Sequence, residues 1–523
     1  MTPTSVWNLD RTKKVAVVLV LLVAAGCFLR FFRLTEQSLW YDEGVTLEFS
    51  EGNSAGEITD KLGNTQSSER YQPLYFVLLY SWRGLFGSSE IALKAFSAIL
   101  GALALIVFTL GTRSFLDGTA RVASVAFMAL SSFAIYYSQE ARPYSLLLLL
   151  CVTHWYLIGR LFRSETPAQT RNLLVPAAFA SCLGGLSSLF FSFHMASAGA
   201  AWLLVRGKRS REWSFWIVSG LALVPSLLFF ALAGPNGGED SAVVSRTDNS
   251  LLANAAFSLY GLLVGVTYGP PVDALRLGPW GEVLRQSWPS LLVFVLVCVG
   301  IFYSALVGFR MTSRDNRSQG SLDFRYLLAS FGLGLVLLAL FALATRLNWL
   351  PRHSTFLLPA LGLALGCVFA SRGDGPAAWQ KIGRWSVIGL LVLNVLSLKH
   401  YYYDSAHRRG DYRAVAELLR NQQPMPTILL LGSPRLLDYY EAPSLLDVRW
   451  KQDPEKVRLI DGYTEGSNGF LVVINREDLL PGGLQGVEHL LMPFSNLENT
   501  WELPAFRVAE FSKISLINPR VTH

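Results

Sequence analysis

Charge is scarce in this chain. Asp, Glu, Lys and Arg supply 16% of its 523 residues, while 51% are hydrophobic, and the few charges are bunched between long uncharged runs. That poverty excludes an ordinary soluble domain and a disordered chain alike, and it implies a polytopic helical membrane protein. Cysteine is nearly absent too. Cys27, Cys151, Cys182, Cys298 and Cys367 all fall inside apolar runs, without the spacing of a disulfide framework or a zinc site. No cofactor motif and no metal-ligating cluster is found. Internal repeats and low-complexity tracts are missing as well, which argues against a transporter built from related halves. The net charge of +7 does not point to nucleic acid, because membrane proteins gather Lys and Arg on their cytoplasmic loops.

What is present is a series of apolar spans near 14–33, 91–112, 120–137, 144–162, 173–189, 191–206, 215–233, 288–309, 325–344, 354–371 and 383–399. Each is about long enough to cross ~30 Å of hydrocarbon, giving about eleven transmembrane helices. The spans at 173–189 and 191–206 read either as a hairpin or as one long helix broken near Ser187-Ser188. The first span lacks a cleavage site and reads as a retained signal anchor. Basic residues sit on alternate loops: Arg11, Lys13 and Lys14; Arg113 and Arg121; Arg160, Arg163 and Arg171; Arg206, Lys208, Arg209 and Arg211; then Arg310, Arg314, Arg317, Lys381 and Arg384. These loops are expected in the cytoplasm with the N-terminus, which leaves the C-terminus outside. Segment 72–87 is apolar but carries Arg83, so it is expected as an interfacial or re-entrant helix.

This division predicts a transmembrane region over 1–399 with long outer loops at 34–90 and 234–287, and an extracytoplasmic α/β domain over 400–523. Leu251 to Tyr268 reads as a short surface helix stopped by Gly269-Pro270-Pro271. In the tail, Asp411 to Asn421 has helical spacing, while Thr427 to Leu431 and Phe470 to Ile474 read as short strands.

The unusual polar groups near helix ends all fall on the outer side. Asp42 and Glu43 follow the first span behind Trp40 and Tyr41. Tyr71 and Gln72 close the first outer loop. Gln139-Glu140-Ala141-Arg142-Pro143-Tyr144 turns between the third and fourth spans. His194 lies near the outer turn of the sixth, and Arg346, Arg352 and His353 precede the tenth. Each has a bland reading: Arg142 snorkels to the interface, His194 packs at a helix end, Arg352-His353 anchors a helix. Their convergence on one face suggests more. A carboxylate can take the proton of an attacking hydroxyl, and Arg forks can neutralise charge growing on a departing phosphate.

The strings Ser38-Leu39-Trp40-Tyr41-Asp42-Glu43, Gln72-Pro73-Leu74-Tyr75-Phe76-Val77-Leu78-Leu79 with Leu85-Phe86-Gly87 and Glu90, and Tyr137-Ser138-Gln139-Glu140-Ala141-Arg142-Pro143-Tyr144-Ser145-Leu146 resemble the GT-C superfamily. More narrowly, they are similar to bacterial relatives of protein O-mannosyltransferases and the lipid A aminoarabinose transferase. The resemblance is strongest over 14–210 and weaker through Arg352-His353-Ser354-Thr355-Phe356-Leu357-Leu358-Pro359. It implies a GT-C membrane fold and inverting transfer of a sugar from a polyprenyl-phosphate carrier to an acceptor hydroxyl on protein, lipid or glycan. Asp42 is then the expected base, with Glu43 supporting it or the acceptor. Arg142, Arg352 and His353 are expected at the donor phosphate, and Tyr41, Tyr71, Gln72, Glu140, Tyr144 and His194 around the substrates. Neither metal nor cofactor is implied. The compact Gly and Ala usage and short loops lean towards a bacterial inner membrane, with undecaprenyl phosphate as carrier and the active site outside; in an archaeon or eukaryote the carrier is expected to be dolichyl phosphate. Two departures touch the site. The family's His-Pro-Pro before Leu-Tyr is Gln72-Pro73-Leu74, and its Arg-Tyr before the tenth span is Arg352-His353. The competing expectations are an envelope-lipid transporter or flippase, and a non-catalytic scaffold of the same fold.

Overall fold

In hydrocarbon every backbone N–H and C=O must be satisfied within the protein, so an apolar chain crosses as helices. A computed structural model describes residues 3–65, 67–206, 212–232, 251–272, 280–314, 319–345, 347–370, 377–422, 425–448, 454–475, 482–492 and 495–513. Arg346 lies outside the described residues. The packing forms two units: Met1–Leu34 with Phe49–Gly269 and Arg285–Tyr402, and Thr35–Glu48 with Pro270–Leu284 and Tyr403–His523.

The first unit is helical. Among the described residues eight helices are long and apolar enough to cross a membrane, and a bent pair makes a ninth. This is an integral membrane protein. In the first half of the chain the helices are α1 (Pro3–Phe31), α2 (Tyr41–Phe49, mostly in the second unit), α3 (Ala55–Asn64), α4 (Pro73–Phe86), α5 (Glu90–Gly111), α6 (Gly118–Leu130), α7 (Ser132–Ser138), α8 (Tyr144–Phe162), α9 (Pro167–Arg171), α10 (Leu174–Ser187), α11 (Phe190–Val205), α12 (Trp213–Leu221), α13 (Val224–Leu232) and α14 (Leu251–Val264). Long helices follow at Trp280–Arg314, Gln319–Thr345, Leu358–Ala370 and Ala377–Tyr403. Segment 72–87 forms α4, whose 14 residues are fewer than the ~20 a crossing needs. The region 173–206 resolves into α10 and α11, parted where Ser188 is extended.

A bend of 44° separates α6 from α7. A broken helix frees backbone groups that lipid cannot satisfy, and here side chains meet them. Ser131 Oγ accepts from the Ala134 N–H at 3.2 Å. Asn394 Oδ1 accepts the Ser132 N–H at 2.9 Å, and its amide donates to Leu263 O at 2.8 Å. Arg30, fully buried at the end of α1, donates to Met128 O at 3.3 Å and Gly26 O at 2.7 Å. The bend delivers Gln139, whose amide donates to the terminal α1 carbonyls of Leu29, Arg30 and Phe32 while its oxygen accepts from Tyr401 Oη. Gln139 thus caps α1 and fixes the turn that carries Arg142.

The expected surface helix ends earlier than its sequence suggests. α14 stops at Val264, because Gly265 takes φ +78° and its N–H closes on Gly261 O at 2.8 Å. This is the left-handed glycine cap, and it acts before Gly269-Pro270-Pro271 is reached.

The second unit holds a five-stranded sheet in the order β2-β1-β3-β5-β4, with β1 at Thr427–Leu431, β2 at Leu445–Asp447, β3 at Gly469–Asn475, β4 at Ser495–Leu503 and β5 at Phe506–Lys513. β1 runs parallel to β2 and β3, while β5 is antiparallel to β3 and β4. The core gathers Ile428, Leu430, Phe470, Val472, Ile474, Val487 and Phe511, with the Phe470 and Phe511 rings stacked at 5.4 Å. The helix Tyr412–Asn421 starts at Asp411, whose carboxylate caps the Ala414 N–H at 3.1 Å.

Candidate active site

In the second unit, Asp42 and Glu43 stand in the first turn of α2, where a helix dipole favours negative charge. Glu43 is buried and turns back on its own helix, Oε2 accepting the Trp40 N–H at 3.1 Å. That is the reach-back half of a capping box, so Glu43 holds the start of the helix on which Asp42 rides. Thr46 Oγ1 donates to Asp42 O at 3.2 Å, and Tyr41 is 47% exposed. Tyr412, fully buried nearby, accepts the Ser433 N–H at 3.0 Å. Burial pushes its phenol above the ordinary range against the lowering effect of that bond, and Tyr41 and Asp42 add to the rise.

In the helical unit, a cavity of about 120 Å³ opens among Tyr71, Gln72, Arg142, Tyr144, Arg352 and His353, with Ser68, Pro143, Leu147, Ser188, Leu189, Phe190, Phe341 and Leu347 completing the wall. Six residues singled out in the sequence therefore share one cavity. Arg142 is held from both ends. Its guanidinium donates to Glu69 Oε1 at 2.9 Å in a buried pair, and its carbonyl accepts from Ser97 Oγ, itself bonded to Tyr75 Oη at 2.9 Å. The Arg142 head lies 5.9 Å from the Tyr144 ring centroid. Arg352 and His353 stand on the 3-10 turn Pro351–Leu357. His353 Nδ1 accepts the Leu350 N–H at 3.2 Å, which places the proton of the neutral ring on Nε2, and the ring stacks on Phe190 at 4.9 Å. The break between α10 and α11 also serves the cavity. Leu189 N–H donates to Tyr71 O at 3.2 Å, so backbone freed by the break seats the first outer loop.

Within the helical unit, Glu140 and His194 lie off this wall. His194 is buried on α11 and pairs with His154, Nδ1 of His154 lying 3.0 Å from its Nε2, in a nest with Phe191 and Trp155. Glu140 is buried in the turn, its carbonyl taking the Arg142 N–H at 2.8 Å. Sequence reasoning missed Glu69, the partner that orients Arg142. The signal available was a carboxylate in an outer loop, three residues ahead of Gln72. It also missed Phe341 and Leu347, which carry no chemical mark. Among the described residues no group of three or more His, Cys, Asp or Glu is placed to hold a metal ion.

No family model matches the sequence, and no characterised protein matches it at the sequence level. Solved structures do match. ArnT from Cupriavidus metallidurans in the apo state superposes with a TM-score of 0.56 at 13% identity, covering 94% of this chain and 97% of that one. The same protein bound to undecaprenyl phosphate gives 0.51 at 13%, with the same coverage. The Archaeoglobus fulgidus oligosaccharyltransferase tethered with an acceptor peptide gives 0.50 at 12%, covering 96% of this chain and 74% of that one. With its apolar helices and its small C-terminal sheet, the chain is built on the GT-C fold.

Proposed function

We propose that this protein is a membrane glycosyltransferase that moves a sugar from a polyprenyl-phosphate carrier to an acceptor hydroxyl, with inversion at the anomeric carbon. The observation that carries the reading is the cavity wall. Two cations, Arg142 and Arg352, stand there among aromatic and aliphatic side chains. Fixed positive charge beside apolar surface suits a phosphate carried on a polyprenyl tail. The neighbour ArnT, which shares the fold, has been captured with undecaprenyl phosphate.

In the reaction the Asp42 carboxylate takes the proton of the acceptor hydroxyl as its oxygen bonds to the anomeric carbon. The bond from that carbon to the phosphate oxygen breaks, and its electron pair leaves with the phosphate. The carrier passes from phosphodiester to phosphomonoester and gains negative charge, which Arg142 and Arg352 offset. Glu69 keeps the Arg142 fork aimed, and His353 offers a neutral Nε2–H donor. Tyr71, Gln72 and Tyr144 shape the sugar's surroundings, with Glu140 and His194 supporting the helices around them. The alternation of basic loops supports a reading in which the N-terminus is cytoplasmic and this chemistry lies on the outer face of the membrane.

The test is carrier release by the purified protein over a panel of undecaprenyl-phosphate sugars. Wild type is expected to release undecaprenyl phosphate from one of them, and Asp42→Asn to lose about 10²–10⁴-fold in turnover with an unchanged melting temperature. Near-wild-type turnover by Asp42→Asn refutes the base assignment. No release from any donor by folded wild type refutes the transferase.

A further inference from the structure

The segment that carries Asp42 packs in the same unit as residues 403–513, far away in sequence. Its approach is fastened one residue after another. Arg413 donates to Thr35 O at 3.1 Å, Arg408 pairs with Glu36 at 3.0 Å, and the Arg409 N–H donates to Gln37 Oε1 at 3.4 Å. Ser38 Oγ donates to Gly410 O at 3.4 Å. The Leu39 N–H, on a fully buried residue, donates to Tyr440 Oη at 2.8 Å, and the Arg409 guanidinium lies 5.3 Å from the Trp40 ring centroid. Beyond Asp42 the grip continues on the helix itself. A Cβ added at Gly44 would stand 2.8 Å from Leu436 Cγ and 2.9 Å from Ser433 Oγ. Only glycine lets α2 lie this close to the helix Pro434–Tyr439.

Asp42 is thus held on both sides by one short stretch of the C-terminal domain. We infer that Tyr440 and Leu436 are positioning residues, through which the C-terminal domain sets where the Asp42 carboxylate stands. The inference rests on the assignment of Asp42 as the base. A general base works only within hydrogen-bond reach of its proton, and a shift of ~1 Å costs ~10²-fold in rate. These contacts fix the backbone on both sides of Asp42, and none of their residues lines the cavity of Arg142 and Arg352, so loosening them is expected to lower kcat and leave donor binding alone.

The experiment compares full-length Tyr440→Phe, Gly44→Ala and the double variant Gly44→Ala/Leu436→Ala with wild type and Asp42→Asn. Turnover is followed on the undecaprenyl-phosphate sugar that wild type consumes, and binding of undecaprenyl phosphate is measured separately. Tyr440→Phe keeps its ring but loses the oxygen that accepts the Leu39 N–H. It is expected to lose about 10-fold or more in kcat. Donor KM and carrier affinity should stay within about twofold, while the Leu39 N–H left without its acceptor lowers the melting temperature modestly without unfolding the protein. Gly44→Ala is expected to behave likewise, and removing the struck side chain in the double variant to restore at least part of kcat. An inactive Asp42→Asn beside a Tyr440→Phe protein with wild-type kcat overturns the positioning role and leaves the base standing. So does a rise in KM at constant kcat. If Tyr440→Phe fails to fold, the Gly44→Ala pair decides, and absence of rescue overturns the role. Retained turnover in Asp42→Asn overturns both readings.

Discussion

Replacing Glu69 by Gln separates two jobs of the buried pair. Arg142 and Glu69 meet at 2.9 Å with side chains 4% and 8% exposed. Breaking a buried ion pair by removing one partner costs about 3–5 kcal/mol. Glu69→Gln is therefore expected to lower the stability of the ligand-free protein by about that amount. A phosphate in the cavity brings a new counter-charge to the same guanidinium. Undecaprenyl phosphate should bind the variant more tightly than wild type, because Glu69 no longer competes for it. Ligand at 100 times its Kd adds about 2.7 kcal/mol of apparent stability, enough to recover much of the loss. Arg142→Met removes the cation and should recover nothing. The assay is a thermal melt in detergent with and without undecaprenyl phosphate. If the carrier stabilises Arg142→Met as much as wild type, Arg142 does not hold the phosphate.

Other perturbations test the scaffold. Asn394→Leu removes the acceptor of the Ser132 N–H and the donor to Leu263 O, so it should cost about 1–3 kcal/mol for each group left buried. An unchanged melting temperature would show that the bend finds other partners. Tyr412→Phe should change the pH dependence of the C-terminal domain. The phenol is held above its ordinary 10.0 in the fold, so its contribution is full below pH 10 and fades as pH rises through the folded value. Wild-type stability should fall more steeply above pH 10 than that of Tyr412→Phe in parallel melts. Equal slopes would refute the buried phenol as the cause.

Much of the membrane region is legible in the sequence, because lipid leaves one solution for the backbone and hydropathy reports it. The spans expected at 91–112 and 144–162 coincide with Glu90–Ser114 and Tyr144–Phe162 to within a few residues. Local chemistry is less visible. α14 ends at Gly265 because of a dihedral angle, whereas the sequence advertises Gly269-Pro270-Pro271 more loudly. In the tail, β1 and β3 read as strands since both are buried apolar runs, but β4 (Ser495–Leu503) is a mostly exposed polar edge that looks like a loop. The cavity residues are legible because a polar side chain at a helix end is costly in an apolar chain. Glu69 escapes that logic, sitting in a loop where carboxylates are ordinary. The surroundings of His194 are invisible for the opposite reason: its partner His154 is buried on α8, 40 positions away, and cannot be paired with it from spacing. The fastening of residues 35–44 depends on contacts such as Leu39 to Tyr440, 401 positions apart.

That separation has a consequence in the order of synthesis. A ribosome completes Asp42 long before Arg413, Leu436 and Tyr440, so the carboxylate segment emerges early and waits. Its fastening belongs to residues made 372 to 401 positions later, and any transcript or protease cut that stops short of Tyr440 leaves the segment without that hydrogen bond. In this architecture the fastening of residues 35–44 is conferred backwards, by residues translated far later than the segment they hold.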